Sequence, residues 1–206
     1  MNYKYIIWDW NGTLLDDADA AMSSVNDMLK ERNMPPIDMK RYRECIGVPI
    51  IRFYEKVFDL ENEDYGEILK SYNEGYLRHL ENTTLSQGAE EALEYFKSNG
   101  CTQIIVSSSN NEQLTANIHK YGIYEYFDAI LGASDYFATS KIERAIKYLE
   151  KHRDGKTLVI GDLVHDAEMA KEIGADCILL STGHEMRERL EKTGLRIIDS
   201  LKEIMK

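Results

Sequence analysis

Short apolar runs separated by polar stretches of helical period organise the chain. Ile6-Ile7-Trp8 ends in Asp9 and empties at once into Asn11-Gly12-Thr13, which reads as a buried strand leaving a sheet through a tight polar turn. From about Asp16 to Tyr76 the period is that of helices, with no strand between them. Ala21, Met22, Val25, Met28 and Leu29 share one face, closed by Asn33 and the helix-stopping Pro35-Pro36. Asp38 is placed to cap a short helix carrying Met39, Tyr42 and Cys45, which Gly47 ends. Pro49, at a first helical position, starts another with Ile50, Phe53, Tyr54 and Val57. A fourth helix carries Tyr65, Ile68, Leu69, Tyr72 and Tyr76.

From Ser86 onward helix and strand alternate. Ala89, Leu93 and Phe96 mark a helix stopped by Gly100, and Gln103-Ile104-Ile105-Val106 is a strand running into Ser107-Ser108-Ser109-Asn110-Asn111. A helix with Leu114 and Ile118, a strand over Asp128-Ala129-Ile130-Leu131 and a helix beginning near Lys141 follow. Leu158-Val159-Ile160 then forms a strand ending in Gly161-Asp162, Ala167, Ala170 and Ile173 a helix, Cys177-Ile178-Leu179-Leu180 a strand, and Ile197-Ile198 a last short one. Such alternation means right-handed crossovers and an α/β fold with a doubly wound, mostly parallel sheet. The four early helices become an insertion after the first strand. The expected division is an α/β core over 1–15 and 84–206 and an α-helical cap domain over 16–83.

Composition narrows the partners. At 206 residues and 43% hydrophobic, the chain supports one substantial core and a small satellite. Its net charge of −11 repels nucleic acid and anionic lipid over most of the surface, so neither is an expected partner and an anionic substrate needs a local cation. Cys45, Cys101 and Cys177 are far apart and form no Cys-x-x-Cys pair, which fits a reduced, cytoplasmic compartment without a zinc site. The first apolar run is too short for a signal peptide, and none is long enough to span a membrane.

Asp9, Ser107 and Asp162 each terminate or follow a separate strand, and in a parallel sheet such positions meet on one edge, where ligands bind. Asp-x-Asn-Gly by itself also fits a plain turn. The convergence of three positions favours chemistry. Neighbouring carboxylates repel unless a cation joins them, and hard oxygen donors without clustered His or Cys suit Mg²⁺. Ser107 and the N–H groups after it are suited to a phosphoryl oxygen, and Lys141 at a helix start to neutralising phosphate and nucleophile together.

These residues resemble the haloacid dehalogenase superfamily, and within it the small-cap phosphatases of the phosphoglycolate phosphatase type. Asp9-Trp10-Asn11-Gly12-Thr13 is similar to the nucleophile motif, Ile104-Ile105-Val106-Ser107 to the second motif, Lys141 to the third and Gly161-Asp162-Leu163-Val164-His165-Asp166 to the fourth. The resemblance implies that Asp9 attacks phosphorus to form an aspartyl-phosphate. It further implies that Asp162 and the backbone carbonyl of Asn11 hold Mg²⁺ with Asp9, and that Asp166 orients the metal site. Thr13 would help fix the nucleophile loop, and Thr13, Ser108, Asn111 and Arg52 would contact a small phosphorylated metabolite.

Asn11 departs from that pattern. The superfamily's phosphatases carry a second Asp there, which protonates the leaving group and deprotonates the attacking water; an amide exchanges no proton, a loss of about 10²–10⁴-fold. Two alternatives therefore stand beside a phosphatase: a slow relative that binds a phosphorylated ligand or regulates, and a hydrolase of phosphonates or haloacids. Ile50, three after Gly47, occupies the position where the phosphonate hydrolase would offer Lys. His165 beside Asp162 is a candidate proton relay against a plain solvated loop residue, and His184 reads as a loop residue. Arg41, Arg43, Arg52 and Lys56 are the cap cations able to reach a substrate, with Arg52 preferred, and Tyr65, Tyr72 and Tyr76 read as cap core.

Overall fold

The computed structural model describes residues 2–133, 140–152 and 154–205. In chain order these form β1 (Tyr3–Trp8), β2 (Leu15–Asp16), α1 (Ala18–Glu31), α2 (Met39–Cys45), α3 (Ile51–Val57), α4 (Tyr65–His79), β3 (Thr84–Leu85) and α5 (Ala89–Ser98). There follow β4 (Thr102–Asn110), α6 (Asn111–Lys120), β5 (Ala129–Ala133), α7 (Lys141–Leu149), β6 (Lys156–Gly161), α8 (Val164–Ile173), β7 (Asp176–Leu180), α9 (Arg187–Glu191) and β8 (Arg196–Ile198).

The main sheet has the order β5-β4-β1-β6-β7-β8, and each of its pairings is parallel. β1 is central, which is why its apolar run is continuous rather than alternating: both of its faces are covered. Ile6 and Trp8 pack with Leu93, Phe96, Leu114 and Ile118 on one side, while Tyr5 and Ile7 pack with Ala145, Met169 and Ala170 on the other. The period of two along one strand thus feeds two separate cores. The helical insertion has a third, in which Val25, Met28, Tyr42, Phe53, Tyr54 and Ile68 are buried together. None of the helices among the described residues is long and apolar enough to cross a membrane.

The details differ from the sequence-based expectations in three places. β2 and β3 pair antiparallel, Leu15 opposite Leu85 and Asp16 opposite Thr84, so the insertion leaves and rejoins the core through a two-stranded ribbon. Strands of two residues carry no periodicity, and none was anticipated in that region. α3 starts at Ile51 rather than at Pro49, and Ile50, expected on the apolar face, is 44% exposed. β4 continues through the polar run to Asn110, where the Asn110 side chain accepts from the N–H groups of Glu112 and Gln113 and caps α6.

Candidate active site

The carboxyl edge of the central strands collects the acidic residues. Asp9 directly follows β1 and its N–H donates to the Ile160 carbonyl of the neighbouring β6, while Asp162 directly follows β6. Lys141 opens α7, whose first turn is capped by the Ser140 hydroxyl accepting from the Ile142 N–H. Its ammonium donates to Asp9 Oδ1 at 2.5 Å and to Asp166 Oδ1 at 2.6 Å. Asp166, in the first turn of α8, uses Oδ2 to accept from the N–H groups of Asp162 and Leu163, so its carboxylate fixes the loop that carries Asp162. Asp9, Asp162 and Asp166 each offer an oxygen within 4.8 Å of the others.

All four groups are buried. Burial pushes the Asp9 carboxyl up, Lys141 pulls it back, and Asp166 pushes it up again, leaving it above the ordinary range. Burial alone would lower the Lys141 ammonium, but Asp166 and Asp9 more than reverse that and hold it charged. Asp162 is raised well above its usual value by burial and by the charges of Asp9 and Asp166, against an opposing pull from His184. Three carboxylates thus lie together while Lys141 donates to only two of them, an excess of buried negative charge that a divalent cation relieves. The donors are oxygen only, and that set suits Mg²⁺.

Gly12 and Gly161 make room for this crowd. Gly12 has φ +72°, and a Cβ there would lie 2.3 Å from Asp162 Oδ2; at Gly161 it would lie 2.2 Å from Asp166 Cγ. The remaining expected residues are spread more widely. Ser107 is buried in β4, its hydroxyl accepting from the Ser109 N–H and its carbonyl from the Arg144 guanidinium at 2.6 Å. Thr13, expected at the substrate, instead donates its hydroxyl to Asp162 Oδ1 at 3.1 Å. The Asn111 amide oxygen is taken by the Gly132 N–H, and Ser108 is exposed. Arg52 lies on the exposed side of α3, paired with Glu55 at 3.2 Å. Arg41 pairs with Glu44, and Lys56 donates to the Cys45 carbonyl. His165 is half-buried in the first turn of α8.

The Asn11 side chain is held on every side. Its Nδ2 donates to Asp17 Oδ2 at 2.8 Å and to the Tyr76 hydroxyl at 2.7 Å, and its Oδ1 accepts from the Ser109 hydroxyl at 2.6 Å. Asp17, missed in the sequence because it sits in a polar stretch of no distinctive pattern, is the centre of this network. It is 1% exposed and also accepts from the Gly12 N–H at 2.7 Å, the Tyr76 hydroxyl at 2.5 Å and His184 Nε2 at 3.2 Å. Burial raises the Asp17 carboxyl, but His184, Tyr76 and Asn11 outweigh it and hold it below the ordinary range.

His184 has more than the place in a loop that the sequence assigns it. It lies in a loop, yet it is buried: its N–H donates to Asp162 Oδ2 at 2.7 Å and its Nδ1 meets the Tyr42 hydroxyl at 2.9 Å. Burial opposes its charge, but Asp17 foremost, then Asp162 and Asp9, raise it to about 9. The signal for His184 was present in the sequence, since it lies in the loop after β7, on the sheet edge where Asp9 follows β1. Tyr76 packs against the insertion's core as expected, while its hydroxyl joins the site. Two arginines complete the junction. Arg43 of α2 donates to the carbonyls of Gly183 and Thr182, and Arg189 of α9 to those of Ile46 and Glu44.

Known proteins resemble this chain in sequence and in fold. A family model described as haloacid dehalogenase-like hydrolase matches residues 6–180. The probable phosphatase IndB of Dickeya dadantii is 27% identical over 97% of this chain and 91% of its own length. A phosphoglycolate phosphatase of Rhodobacter capsulatus is 25% identical, covering 87% of this chain and 84% of the relative. Among solved structures, a haloacid dehalogenase-like hydrolase from Streptococcus pneumoniae superposes with a TM-score of 0.85 at 21% identity, covering 98% of this chain and 97% of that one.

Proposed function

The chain belongs to the haloacid dehalogenase-like hydrolase family, and from that premise we propose that it is a Mg²⁺-dependent phosphatase working through Asp9. The observation that carries this reading is the cluster in which Lys141 bridges Asp9 and Asp166 beside Asp162, at the carboxyl ends of adjacent parallel strands. Asp9, Asp162 and the backbone carbonyl of Asn11 would hold Mg²⁺, with Asp166 fixing the Asp162 loop. Bound there, the cation supplies positive charge to the phosphoryl oxygens and offsets the repulsion among the carboxylates.

The chain's own groups do the rest. A carboxylate oxygen of Asp9 attacks phosphorus in line with the leaving oxygen, forming an aspartyl-phosphate. The Lys141 ammonium and the Ser107 hydroxyl, with the N–H groups after it, donate to the oxygens on which charge develops. Thr13 and the His184 N–H hold Asp162 in place. The helical insertion over 16–83 serves as a cap that shields a small phosphorylated metabolite from water, docked through Arg43, Arg189 and the tyrosine hydroxyls. Cysteines without disulfide partners fit a cytoplasmic setting.

The test is a screen of phosphorylated metabolites with Mg²⁺ beside an Asp9→Asn control. Phosphate release that requires both Mg²⁺ and Asp9 supports the reading, and release indifferent to Asp9→Asn overturns it.

A further inference from the structure

Resting on that reading, the structure also bears on which phosphoryl donors the site accepts and where the group goes next. The pocket around Asn11 is built for an amide. Its two amide hydrogens go to Asp17 and Tyr76 and its oxygen receives the Ser109 hydroxyl, so both donors are used and the oxygen keeps only an acceptor lone pair. A carboxylate in its place would lie 2.8 Å from the Asp17 carboxylate, with which it would repel. Asn11 therefore neither carries a proton to a leaving group nor has an N–H left to donate to one.

The other groups around Asp9 are committed as well. Lys141 is shared between Asp9 and Asp166, Asp166 accepts from two backbone N–H groups, and His184 has one ring nitrogen on Asp17 and the other on Tyr42. Held in these bonds, none of the three is placed as the acid for an alkoxide leaving group or as the base for water.

We infer that the chain takes its phosphoryl group from acyl phosphates and hands it to anionic acceptors faster than to water. In the first step the Asp9 oxygen–phosphorus bond forms while the bond from phosphorus to the acyl oxygen breaks. The electron pair leaves on a carboxylate, and no proton moves. An aspartyl-phosphate is itself an acyl phosphate, so the exchange is close to even in energy, whereas transfer from an alkyl ester is uphill and, without an acid, must also expel a free alkoxide. By microscopic reversibility the easy acceptor is another carboxylate, which also needs no deprotonation. Water must lose a proton as it attacks, so hydrolysis is the slow exit and the phosphorylated enzyme persists.

Acetyl phosphate is the probe. The full-length protein with Mg²⁺ and acetyl phosphate is quenched in acid and weighed intact, phosphate release is followed in parallel, and labelled acetate reports exchange into acetyl phosphate. Most of the wild-type protein should carry one phosphoryl group on the Asp9 peptide, and exchange should outrun phosphate release by about tenfold or more, within the range that general acid–base assistance supplies. Asn11→Asp should reduce the phosphorylated fraction and speed phosphate release. Because the new carboxylate meets Asp17, the double variant Asn11→Asp/Asp17→Asn provides the same group without the repulsion and should show the larger gain. If acetyl phosphate is hydrolysed with no phosphorylated protein and no exchange, the inference fails while the phosphatase reading stands. It fails likewise if alkyl esters are turned over and acetyl phosphate is not, or if neither variant changes the phosphorylated fraction. If neither donor class reacts, both fail together.

Discussion

Replacing His184 with Gln should remove a pH dependence of stability that the wild type carries. In the folded chain the His184 imidazolium is buried against Asp17, at 3.2 Å, and titrates near 9 rather than at its ordinary 6.5. Because the folded value is the higher one, the stabilisation is fully present below pH 6.5 and is lost as the pH rises through about 9. A separation of that size corresponds to about 3 kcal/mol, at roughly 1.4 kcal/mol per pH unit. His184→Gln leaves Asp17 buried without its cation, so the variant should be less stable by about this amount at pH 6. The two proteins should converge as the pH passes 9. Urea unfolding followed by the fluorescence of the buried Trp8 and Trp10, from pH 6 to 9.5 in EDTA, measures the difference directly. A gap between wild type and variant that stays constant across that range would refute the ion pair and leave His184 as ordinary packing.

Two further outcomes follow from the carboxylate cluster. Mg²⁺ should raise the melting temperature, with about 2.7 kcal/mol of added stability at a hundredfold excess over Kd, and Asp162→Ala should abolish the shift; calorimetry without Mg²⁺ binding at millimolar concentration would count against the metal site. Beryllofluoride, a phosphoryl mimic, should bind where Asp9, Ser107 and Lys141 are intact, Lys141→Ala should weaken it by about tenfold or more, and titration calorimetry that finds the variant unaffected would put the anion elsewhere.

The sheet was legible because its strands are buried on both faces and so read as short unbroken apolar runs, as at Ile6-Ile7-Trp8 and Leu158-Val159-Ile160. Once the strands are known to be parallel, Asp9 and Asp162 fall together on one edge. What pattern could not supply was side-chain direction. Arg52 and Arg43 look alike in sequence, yet one faces solvent and the other spans to the Gly183 carbonyl. Asp17 was invisible for the same reason: its importance comes from Asn11 close by and from Tyr76 and His184, which arrive from distant parts of the chain. The β2–β3 ribbon lacked the length that a periodic signal requires.

That ribbon has a consequence for how the protein can change over generations. Since Asp16 faces Thr84 across it, the inserted segment is a detour that begins and ends at one point on the core. The six-stranded sheet closes its chain there whatever the detour contains, and doubling its length costs only about 0.6 kcal/mol of closure entropy. Lengthening, shortening or exchanging the helices is thus open to drift while Asp9, Lys141, Asp162 and Asp166 keep their positions. Tyr76 is part of that replaceable segment but bonds Asn11 and Asp17 outside its helices. A lineage that trades this segment for another loses the clamp on Asn11 in the same event, so the content of the detour and the setting of Asn11 are inherited together.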